Sequence, residues 1–428
     1  MKTDFSVLKR EVVDQDLCTH CGTCVGICPA GCLEIKNSEK GPIPHLVGKC
    51  ETCSLCVEIC PGKYVDFGEL NKSIFRKEAD PYLGFYEKIF VGHARDKTIR
   101  ISGSSGGVVT QILISMLKKE LITKAIVLGF SKEEPWKTEA KIVSMPEEIV
   151  STSQSKYVIY PLNAVLKEIK DKKDKYAIVA LPCQVHALRK LQHSHLKDSF
   201  QSIKFIIGLY CGNNLFFSAT LALLKKLGVY DFSQIKKISY REGTWPGRFE
   251  VVLENGEKRG ISKVGFNYLT FLYTPKRCLY CIDLTNEFAD VSVGDAWGYP
   301  DSSVIICRNR ELLEFIIEMY EQGDIEIKEI SSQEAILMHS HGLDNKKKGA
   351  WARIKIVGSK GKSVPDYGEI KIDVDKRRIQ LERILLFIFR IGENKMIQKL
   401  VNCIPVSFLE KIMSVVRERW RRSTKGIN

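Results

Sequence analysis

Between residue 90 and residue 340, short apolar runs alternate with longer segments of helical periodicity. The runs have the length of buried strands and cover residues 125–130, 140–145, 176–181, 203–210, 291–294 and 304–307. The helical segments place apolar side chains on one face, at residues 108–119, 162–170, 185–191, 216–227 and 310–322. Strand followed by helix, repeated along the chain, predicts a mixed or parallel sheet covered by helices. Residues 249–253 are predicted to enter a hairpin, because the Asn255-Gly256 dipeptide that follows suits a type I′ turn.

The two ends of the chain lack this alternation. Residues 1–70 show little regular periodicity and are rich in cysteine. Residues 339–351 and 358–368 are rich in glycine and lysine, which predicts loop-like linkers. Beyond them, apolar residues recur on one face of a predicted C-terminal helix: Phe408, Leu409, Ile412, Met413, Val415, Val416 and Trp420. We therefore expect three parts, at residues 1–70, 90–340 and 350–428.

The composition is that of a folded protein with a full core. Its 428 residues are 44% hydrophobic and 27% charged, a balance that excludes a disordered chain. No uncharged apolar stretch approaches the ~18 residues of a membrane span, and the first residues lack the apolar segment of a signal peptide. Fifteen cysteines in such a chain indicate a reducing compartment, where thiolates persist as metal ligands. A cytoplasmic location is therefore expected.

The net charge of +14 is concentrated at the C-terminal end. Residues 371–428 hold 14 Lys and Arg against 6 Asp and Glu. No recognised nucleic-acid motif accompanies this charge, so we do not expect a nucleic-acid partner. A basic amphipathic helix can lie on an anionic membrane, on the inner face in this case, or dock an acidic protein. Packing on its own domain explains the same pattern equally well, and both interpretations stay open.

Two cysteine runs near the N-terminus are almost copies of each other. Each has the spacing C-x2-C-x2-C-x3-C-P, in which the fourth cysteine ligates the cluster of the other run. The spacing predicts one [4Fe–4S] cluster on Cys18, Cys21, Cys24 and Cys60, and a second on Cys50, Cys53, Cys56 and Cys28. Two zinc sites or a disulfide framework are the alternatives, but zinc usually takes two ligands from each of two separated knuckles. Exposed clusters are attacked by oxygen, so an anaerobic host is expected.

Four further cysteines lie far apart in the sequence. Cys183 and Cys211 each follow an apolar strand, at the edge where open α/β sheets bind ligands. If the two strands are neighbours, their ends lie ~5 Å apart. Cys278 and Cys281 form a C-x2-C loop that could supply two more thiolates. From the residues alone, a shared cluster and four ordinary buried cysteines remain equally open.

Several segments, taken in order, resemble one known family. They are SGSSGGVVT (102–110), QSKYV (154–158), LPCQVHALRK (181–190), GLYCGNN (208–214), REGTWPG (241–247), YTPKRCLYCIDLTNEFADVSVGDAWG (273–298) and SSVIICR (302–308). Together with the cysteine runs, they resemble the β-subunit family of coenzyme F420-reducing hydrogenase and its dehydrogenase relatives. The resemblance covers residues 15 to about 340. It implies a small ferredoxin-like N-terminal domain, a mixed-sheet α/β flavoprotein domain and a helical C-terminal tail.

The resemblance also implies cofactors and the residues that hold them. The family carries FAD and a [4Fe–4S] cluster and exchanges hydride with the deazaflavin coenzyme F420; here Cys183, Cys211, Cys278 and Cys281 would hold that third cluster. The flavin nucleotide would lie on the loop Ser102, Gly103, Ser104, Ser105, Gly106 and Gly107, which opens a predicted helix whose free N–H groups suit a diphosphate. Further expected contacts to the flavin or the deazaflavin are Lys156, Tyr157, Gly243, Trp245, Asp295 and Trp297. The two tryptophans fit ordinary core aromatics as well.

Three functional hypotheses follow. The first is an oxidoreductase that passes electrons between coenzyme F420, FAD and the clusters to a ferredoxin-like or other protein partner, with no catalytic acid or base among the side chains. The second keeps the flavin and the clusters but reduces another organic substrate, independently of F420, with a possible link to surface-polysaccharide synthesis. The third is a non-catalytic electron-relay subunit. Cofactors perform the chemistry in the first two, while the protein sets their position and potential.

Overall fold

An eight-stranded mixed sheet forms the centre of the molecule. A computed structural model of the chain describes residues 3–370 and 372–424. The strands are β1 Leu33–Ser38, β2 Gly41–Leu46, β3 Lys88–Ala94, β4 Lys124–Phe130, β5 Thr138–Val143, β6 Tyr176–Ala180, β7 Ile203–Leu209, β8 Ile235–Glu242, β9 Arg248–Leu253, β10 Lys258–Ser262, β11 Val291–Asp295, β12 Ser303–Cys307 and β13 Ile325–Glu329. The large sheet has the order β13-β3-β12-β11-β7-β6-β4-β5. A three-stranded sheet has the order β10-β9-β8, and β1 pairs with β2 in a hairpin.

The centre of the large sheet is parallel and its flanks are antiparallel. Strands β4, β6, β7 and β11 run in the same direction, whereas β5, β12, β3 and β13 each pair antiparallel with a neighbour. Strands in a parallel sheet are buried on both faces, and this explains why β6 and β7 are apolar at almost every position. The mixed sheet predicted from the alternation of strands and helices is therefore confirmed.

Helices cover the sheet and form the C-terminal region. They are α1 Phe5–Leu8, α2 Thr23–Gly26, α3 Leu55–Glu58, α4 Phe67–Ile74, α5 Lys97–Ser102, α6 Val108–Lys118, α7 Pro146–Ser151, α8 Leu166–Ile169, α9 Pro182–Gln192, α10 Phe217–Lys226, α11 Leu269–Tyr273, α12 Lys276–Leu279, α13 Arg310–Glu321, α14 Ser332–Met338, α15 Ser340–Asp344, α16 Ala350–Gly358, α17 Lys376–Gly392, α18 Lys395–Cys403 and α19 Val406–Thr424. Shorter turns of 3-10 or π helix lie at Lys9–Val13, Leu162–Val165, Lys197–Phe200, Phe232–Gln234, Gly265–Tyr268 and Asn345–Gly349.

The N-terminal region shares its core with the large sheet. Leu17 and Phe67 belong to the same hydrophobic cluster as Leu188 and Phe288, and the rings of Phe67 and Phe288 lie 4.8 Å apart. The buried Asn163 side chain donates to Thr23 Oγ1 at 2.9 Å and to the Gln184 carbonyl at 3.0 Å. These contacts hold the cysteine-rich region against the edge of the sheet from which α9 starts.

The prediction of a loop-like linker at residues 339–351 is wrong. This segment forms α15, a π-helical turn and the start of α16. Its lysines misled the sequence analysis because Lys346 and Lys347 are buried, and the Lys347 ammonium pairs with the buried Glu287. A charged run predicts a solvated loop only where its charges have no partners elsewhere in the fold. Residues 358–368 are largely without helix or strand, as expected.

The C-terminal helices pack on the body of the protein with one face only. Leu409 and Met413 of α19 are buried in the cluster around the small sheet. Phe408, Ile412, Val415 and Val416 of the same helix are exposed. Packing on the chain's own domain is therefore present, and an apolar face remains uncovered. Within residues 3–370 and 372–424, no helix has both the length and the apolar character needed to cross a membrane.

Candidate functional site

The ends of β6 and β7 bring two cysteines to one edge of the sheet. The two strands are parallel neighbours, with Ala180 opposite Gly208, which meets the condition that the sequence analysis set for bringing the two cysteines together. Cys183 lies in the first turn of α9, directly after β6, and Cys211 follows the end of β7. The carboxyl ends of parallel strands lie at the same edge, so both thiols lie on the side of the sheet where α/β proteins bind ligands.

The C-x2-C loop brings two more thiols to the same place. The Cys211 N–H donates to the Leu284 carbonyl at 2.9 Å, which ties the end of β7 to the segment after Cys281. Cys183 lies close enough to Cys211, Cys278 and Cys281 for their charges to interact. Burial raises the pKa of Cys211 to about 12 and also raises the pKa of Cys183 and of Cys278, so as free thiols these three stay neutral. A cationic metal cluster would reverse that balance, because thiolates are its ligands.

The two N-terminal runs lie close together. The Cys60 thiol interacts with Cys18 and Cys24 of the first run and with Cys56 of its own run, and Cys28 interacts with Cys56. The crossed sharing of ligands stays a prediction. Burial, together with neighbouring thiols, raises the pKa of Cys60 to about 11 and that of Cys56 to about 12. All fifteen cysteines have free thiols, so a disulfide framework does not describe this chain.

No group of three His, Cys, Asp or Glu side chains that could hold a single metal ion is found in the described part of the chain. Zinc holds its sulfur ligands at ~2.3 Å, and the sulfurs therefore nearly touch. In a [4Fe–4S] cluster each thiolate binds a different iron atom, so its four sulfurs lie farther apart.

A cavity of about 740 Å³ adjoins the third set of cysteines, and Cys211 is part of its wall. Of the residues expected to contact a flavin or deazaflavin, the wall includes Gly103, Ser104, Ser105, Gly107, Lys156, Tyr157, Asp295 and Trp297. Four of the expected residues do not line the cavity: Ser102, Gly106, Gly243 and Trp245. Its volume is in the range of small-molecule and cofactor sites.

The Gly/Ser loop of the wall is held rigidly. The Gly106 N–H donates to Ser303 Oγ at 3.0 Å, and a Cβ at Gly106 would lie 2.6 Å from the Gly92 carbonyl oxygen. Ser104 Oγ accepts from the Ser155 N–H at 2.7 Å. Gly107, with a φ of +69°, begins the eleven-residue α6. The free N–H groups at the start of such a helix suit a phosphate.

Arg241 also lines the cavity, although the sequence analysis did not name it among the expected contacts. Its guanidinium donates to Tyr157 Oη at 3.1 Å, Asp295 Oδ2 at 3.0 Å and the Ser104 carbonyl at 3.0 Å. Trp245 acts behind the wall, since its Nε1 donates to the same Asp295 oxygen at 3.3 Å. Arg241 begins the REGTWPG segment, but its role depends on partners from three distant segments. No local pattern shows that.

Lys156 also anchors the backbone next to the cavity, and its expected contact with a flavin or deazaflavin stays a prediction. Its ammonium donates to the carbonyl of Thr152, to that of Ser153 at 2.8 Å and to that of Gln154 at 3.1 Å. These carbonyls follow α7, where a cation also interacts well with the helix dipole. Burial lowers the pKa of Lys156 to about 7. The ammonium therefore holds the chain at the end of α7, while the residue still forms part of the cavity wall.

Part of the wall comes from beyond residue 335. His339, Arg417, Trp420 and Arg421 all line the cavity. The His339 Nε2 is buried without a hydrogen-bond partner, and burial lowers the pKa of His339 to about 4. Arg417 lies over the Trp297 ring, 5.0 Å from its centroid. These residues were missed because their helices carry no motif, and only the folded chain brings them to the cavity.

The fold and the site define an α/β redox protein with a cysteine-rich N-terminal region. Residues 89–167 and 173–333 match the N-terminal and C-terminal parts of the family described as coenzyme F420 hydrogenase/dehydrogenase, beta subunit. Residues 10–61 match the 4Fe-4S dicluster domain. The chain belongs to the coenzyme F420 hydrogenase/dehydrogenase beta-subunit family of oxidoreductases, as the order of its motifs predicted.

Known relatives and one solved structure agree with this assignment. The chain is 31% identical over 333 residues to a coenzyme F420-dependent sulfite reductase of Methanocaldococcus jannaschii, a match covering 74% of this chain and 48% of that protein. It is 27% identical over 332 residues to a subunit of the F(420)H(2) dehydrogenase of Methanosarcina mazei, covering 74% of this chain and 86% of that protein. The chain therefore spans about half the length of the sulfite reductase.

The structural likeness concerns the fold. A chain of the F420-reducing [NiFe] hydrogenase complex from Methanosarcina barkeri superposes with a TM-score of 0.55 at 22% sequence identity. The likeness covers 69% of this chain and all of that chain. The two chains therefore share the α/β fold, while the remaining third of this chain has no counterpart there.

Proposed function

We propose that this chain is an iron–sulfur flavoprotein that exchanges electrons between coenzyme F420, FAD and three [4Fe–4S] clusters, and delivers them to a protein acceptor. One observation carries the proposal: the three thiol sets form a continuous series from the cavity to the surface. Cys211 lines the cavity, and Cys183 of the same set interacts with Cys21 of the first N-terminal set. Cys24 of that set interacts with Cys56 of the other, in which Cys53 is exposed.

The residues of the cavity fit a flavin nucleotide. The N–H groups at the start of α6 and the neighbouring Ser104 suit its diphosphate, as argued above. Arg241 holds Asp295 and Tyr157 in one arrangement and is itself only 4% exposed at its side chain. When bound, FAD would take up hydride as an electron pair and release the electrons singly to clusters, each of which accepts one. The chain itself would bind the flavin in the cavity, beside Cys211.

The cavity also bears on the two alternatives. A relay subunit that only passes electrons between clusters needs no ligand-sized cavity at the start of the series. A reductase of another organic molecule needs one, but family membership favours the deazaflavin as its occupant. We therefore propose the deazaflavin as substrate and keep the F420-independent reductase as the second candidate.

Anaerobic reconstitution distinguishes these functions. The purified protein is assayed for iron and flavin and then mixed with reduced coenzyme F420, while the deazaflavin and cluster absorbances are followed. About twelve irons, one FAD per chain and rapid cluster bleaching are expected, because three clusters hold four irons each. Full cofactor loading without bleaching would favour the other reductase. Clusters without flavin would leave only the relay.

The uncovered face of the C-terminal helices indicates a docking surface. Ile384, Phe387, Ile388 and Ile391 are exposed along one stripe of α17 at helical spacing, and α19 exposes a similar stripe. The same region carries the excess of Lys and Arg counted above, 14 against 6 acidic residues. Apolar stripes flanked by cations suit an anionic lipid surface. We therefore propose peripheral docking on anionic membranes, which co-sedimentation with vesicles tests.

A further inference from the structure

The C-terminal helix supplies two arginines to the cavity. Arg417 and Arg421 are one turn apart on α19, and both line the cavity wall. Arg417 is partly buried and Arg421 is exposed, whereas Arg419 and Arg422 are exposed and do not line the cavity. Side chains four residues apart on a helix lie on one face. The helix therefore presents Arg417 and Arg421 to the cavity, with Arg421 also open to solvent, and Arg419 and Arg422 to solvent alone.

Contacts on both sides of this turn hold α19 in place. Glu410 Oε1 accepts from Ser262 Oγ at 2.6 Å, and Leu409 and Met413 are buried. At the far end, His341 Nδ1 and Thr424 Oγ1 lie 3.1 Å apart. The helix is thus fixed before and after the pair, and Arg417 is further positioned by its stacking over Trp297 at 5.0 Å.

The pair has no acidic counterpart. Within the described residues, neither Arg417 nor Arg421 forms an ion pair, whereas Arg422 pairs with Glu418. Burial, together with the nearby Arg421, lowers the pKa of Arg417, so the two charges repel each other. A favourable helix dipole explains a cation near the C-terminal end of α19, but not why Arg417 turns into the cavity. Two cations held close together without a carboxylate are what an anionic ligand would stabilise.

The charge of the wall is positive on balance. Its basic side chains are Lys156, Arg241, Arg417 and Arg421 against the single carboxylate of Asp295 among the described residues, and burial lowers the pKa of Lys156 to about 7. Arg241 already pairs with Asp295 at 3.0 Å. A cavity lined by one sign of charge concentrates ligands of the opposite sign. Guanidinium groups match phosphate geometry with two parallel hydrogen bonds.

We infer that Arg417 and Arg421 form an anion-binding subsite in this cavity, which binds a phosphate of the flavin-type ligand held there. The inference rests on the proposed function, and it adds a contact from a helix outside the segments that match the family. Both FAD and the deazaflavin coenzyme carry phosphate, so the shared chemistry is a phosphate ester. The C-terminal helix then acts as a wall that selects phosphorylated ligands over the bare ring system.

The test compares two double variants of the full-length protein purified without oxygen. Arg417→Gln with Arg421→Gln removes the subsite, and Arg419→Gln with Arg422→Gln removes the same charge from the solvent side. Three quantities are measured: FAD per chain, the Kd for oxidised coenzyme F420, and the Kd for the deazaflavin riboside that lacks phosphate. Iron content controls for folding. Arg417→Lys keeps the positive charge but lacks the planar guanidinium that makes two parallel hydrogen bonds to a phosphate.

The expected result is a loss specific to phosphate. The first double variant should bind coenzyme F420 at least about tenfold more weakly, or lose most of its FAD, because each charged hydrogen bond is worth about one factor of ten. The riboside Kd should stay within about twofold, since a ring system makes no such bond. If the first double variant binds coenzyme F420 more weakly but keeps its FAD, the subsite belongs to the deazaflavin. If it loses FAD but binds coenzyme F420 as before, the subsite belongs to FAD.

Other outcomes overturn the inference. Equal behaviour of the two double variants in all three measurements would show that the pair binds no phosphate. Equal weakening of coenzyme and riboside would show that the arginines only maintain the cavity's shape. If the natural chain binds neither deazaflavin, the proposed function fails, and FAD retention in the first double variant still decides the subsite. In that case full retention of FAD would overturn it.

Discussion

The N-terminal region and the C-terminal helices both contribute to the centre of the molecule, but by different physical means. Residues 10–61 carry two cysteine runs at short fixed spacings, whereas α17, α18 and α19 carry no motif, and α19 reaches the cavity by packing. Three of the four thiolates of such a cluster come from one tight loop, so their spacing in the sequence already indicates the cluster. A long cationic side chain serves a site from any helix that packs nearby. The first kind of site is visible in a sequence, and the second only in a folded chain.

The largest effect is expected from the cysteine set that separates the cavity from the N-terminal region. Cys211→Ser should remove about four irons and abolish electron transfer to the outer clusters, because one ligand of the proposed third cluster is lost. Iron analysis and cluster bleaching by reduced coenzyme F420 measure both effects. Cys403→Ser is the matched control, since Cys403 is exposed and belongs to none of the sets. Unchanged iron in the Cys211 variant would contradict the third site.

The crossing of the two N-terminal runs gives the next effect. Cys60→Ser combined with Cys18→Ser should lose no more iron than either change alone, about four atoms, because both thiols serve one cluster. Cys60→Ser combined with Cys50→Ser should lose about eight, because these thiols serve different clusters. Iron counts on anaerobically purified protein decide the matter. The reverse pattern would mean that each run holds its own cluster.

The sequence predicted the sheet and its cysteine-bearing edge because both depend on local signals. The apolar runs at β6 and β7 are continuous, and each ends close to a cysteine, so adjacent parallel strands placed Cys183 and Cys211 together. Strands β3 and β13 were missed. They pair antiparallel with each other although 230 residues separate Ala94 from Ile325 in sequence; that partnership leaves no local signal.

Short motifs located part of the candidate site. Gly103, Ser104, Ser105 and Gly107 of the Gly/Ser loop are in the cavity wall, as is Asp295, whereas Gly243 and Trp245 are not, although they come from an equally distinctive segment. Arg241 was missed because its three partners lie on distant elements. The buried Lys346 and Lys347 were taken for a solvated linker for the same reason. Tertiary pairing decides whether a polar residue is buried, and spacing does not contain that information.

On the C-terminal side, the packing of α19 can be tested with two adjacent residues. Leu409→Ala should lower the free energy of unfolding by about 2–4 kcal/mol, because Leu409 is 3% exposed and its loss leaves a cavity. Phe408→Ala, at a side chain 55% exposed, should change it by less than about 0.5 kcal/mol. Urea unfolding measures both. Equal effects would mean that α19 does not pack on the body in solution.

A partly buried lysine near the same helix is expected to make stability depend on pH. Burial, with Arg241 nearby, lowers the pKa of Lys263 to about 7, whereas an unfolded lysine titrates near ~10.4. The unfolded state therefore binds more protons between these values, so this group adds up to about 1.4 kcal/mol of stability per pH unit as the pH rises from about 7 to 10. Lys263→Met should flatten that slope. Lys258→Met, at an exposed site on β10, should leave it unchanged.

A separate prediction concerns membrane binding through the uncovered stripe of α17. Phe387→Ser with Ile388→Ser should weaken co-sedimentation with vesicles containing phosphatidylserine, because each side chain contributes ~1.5–3 kcal/mol of transfer free energy when buried. Both side chains are exposed in the chain alone, so folding and iron content should not change. Salt should weaken binding further, since the flanking cations act through screened charges. Binding to neutral vesicles at equal strength would remove the charge argument. If the protein binds no vesicle at all, a partner protein remains as the occupant of this face. The N-terminal region would then be a cofactor-binding region, and the C-terminal helices would form a subunit interface.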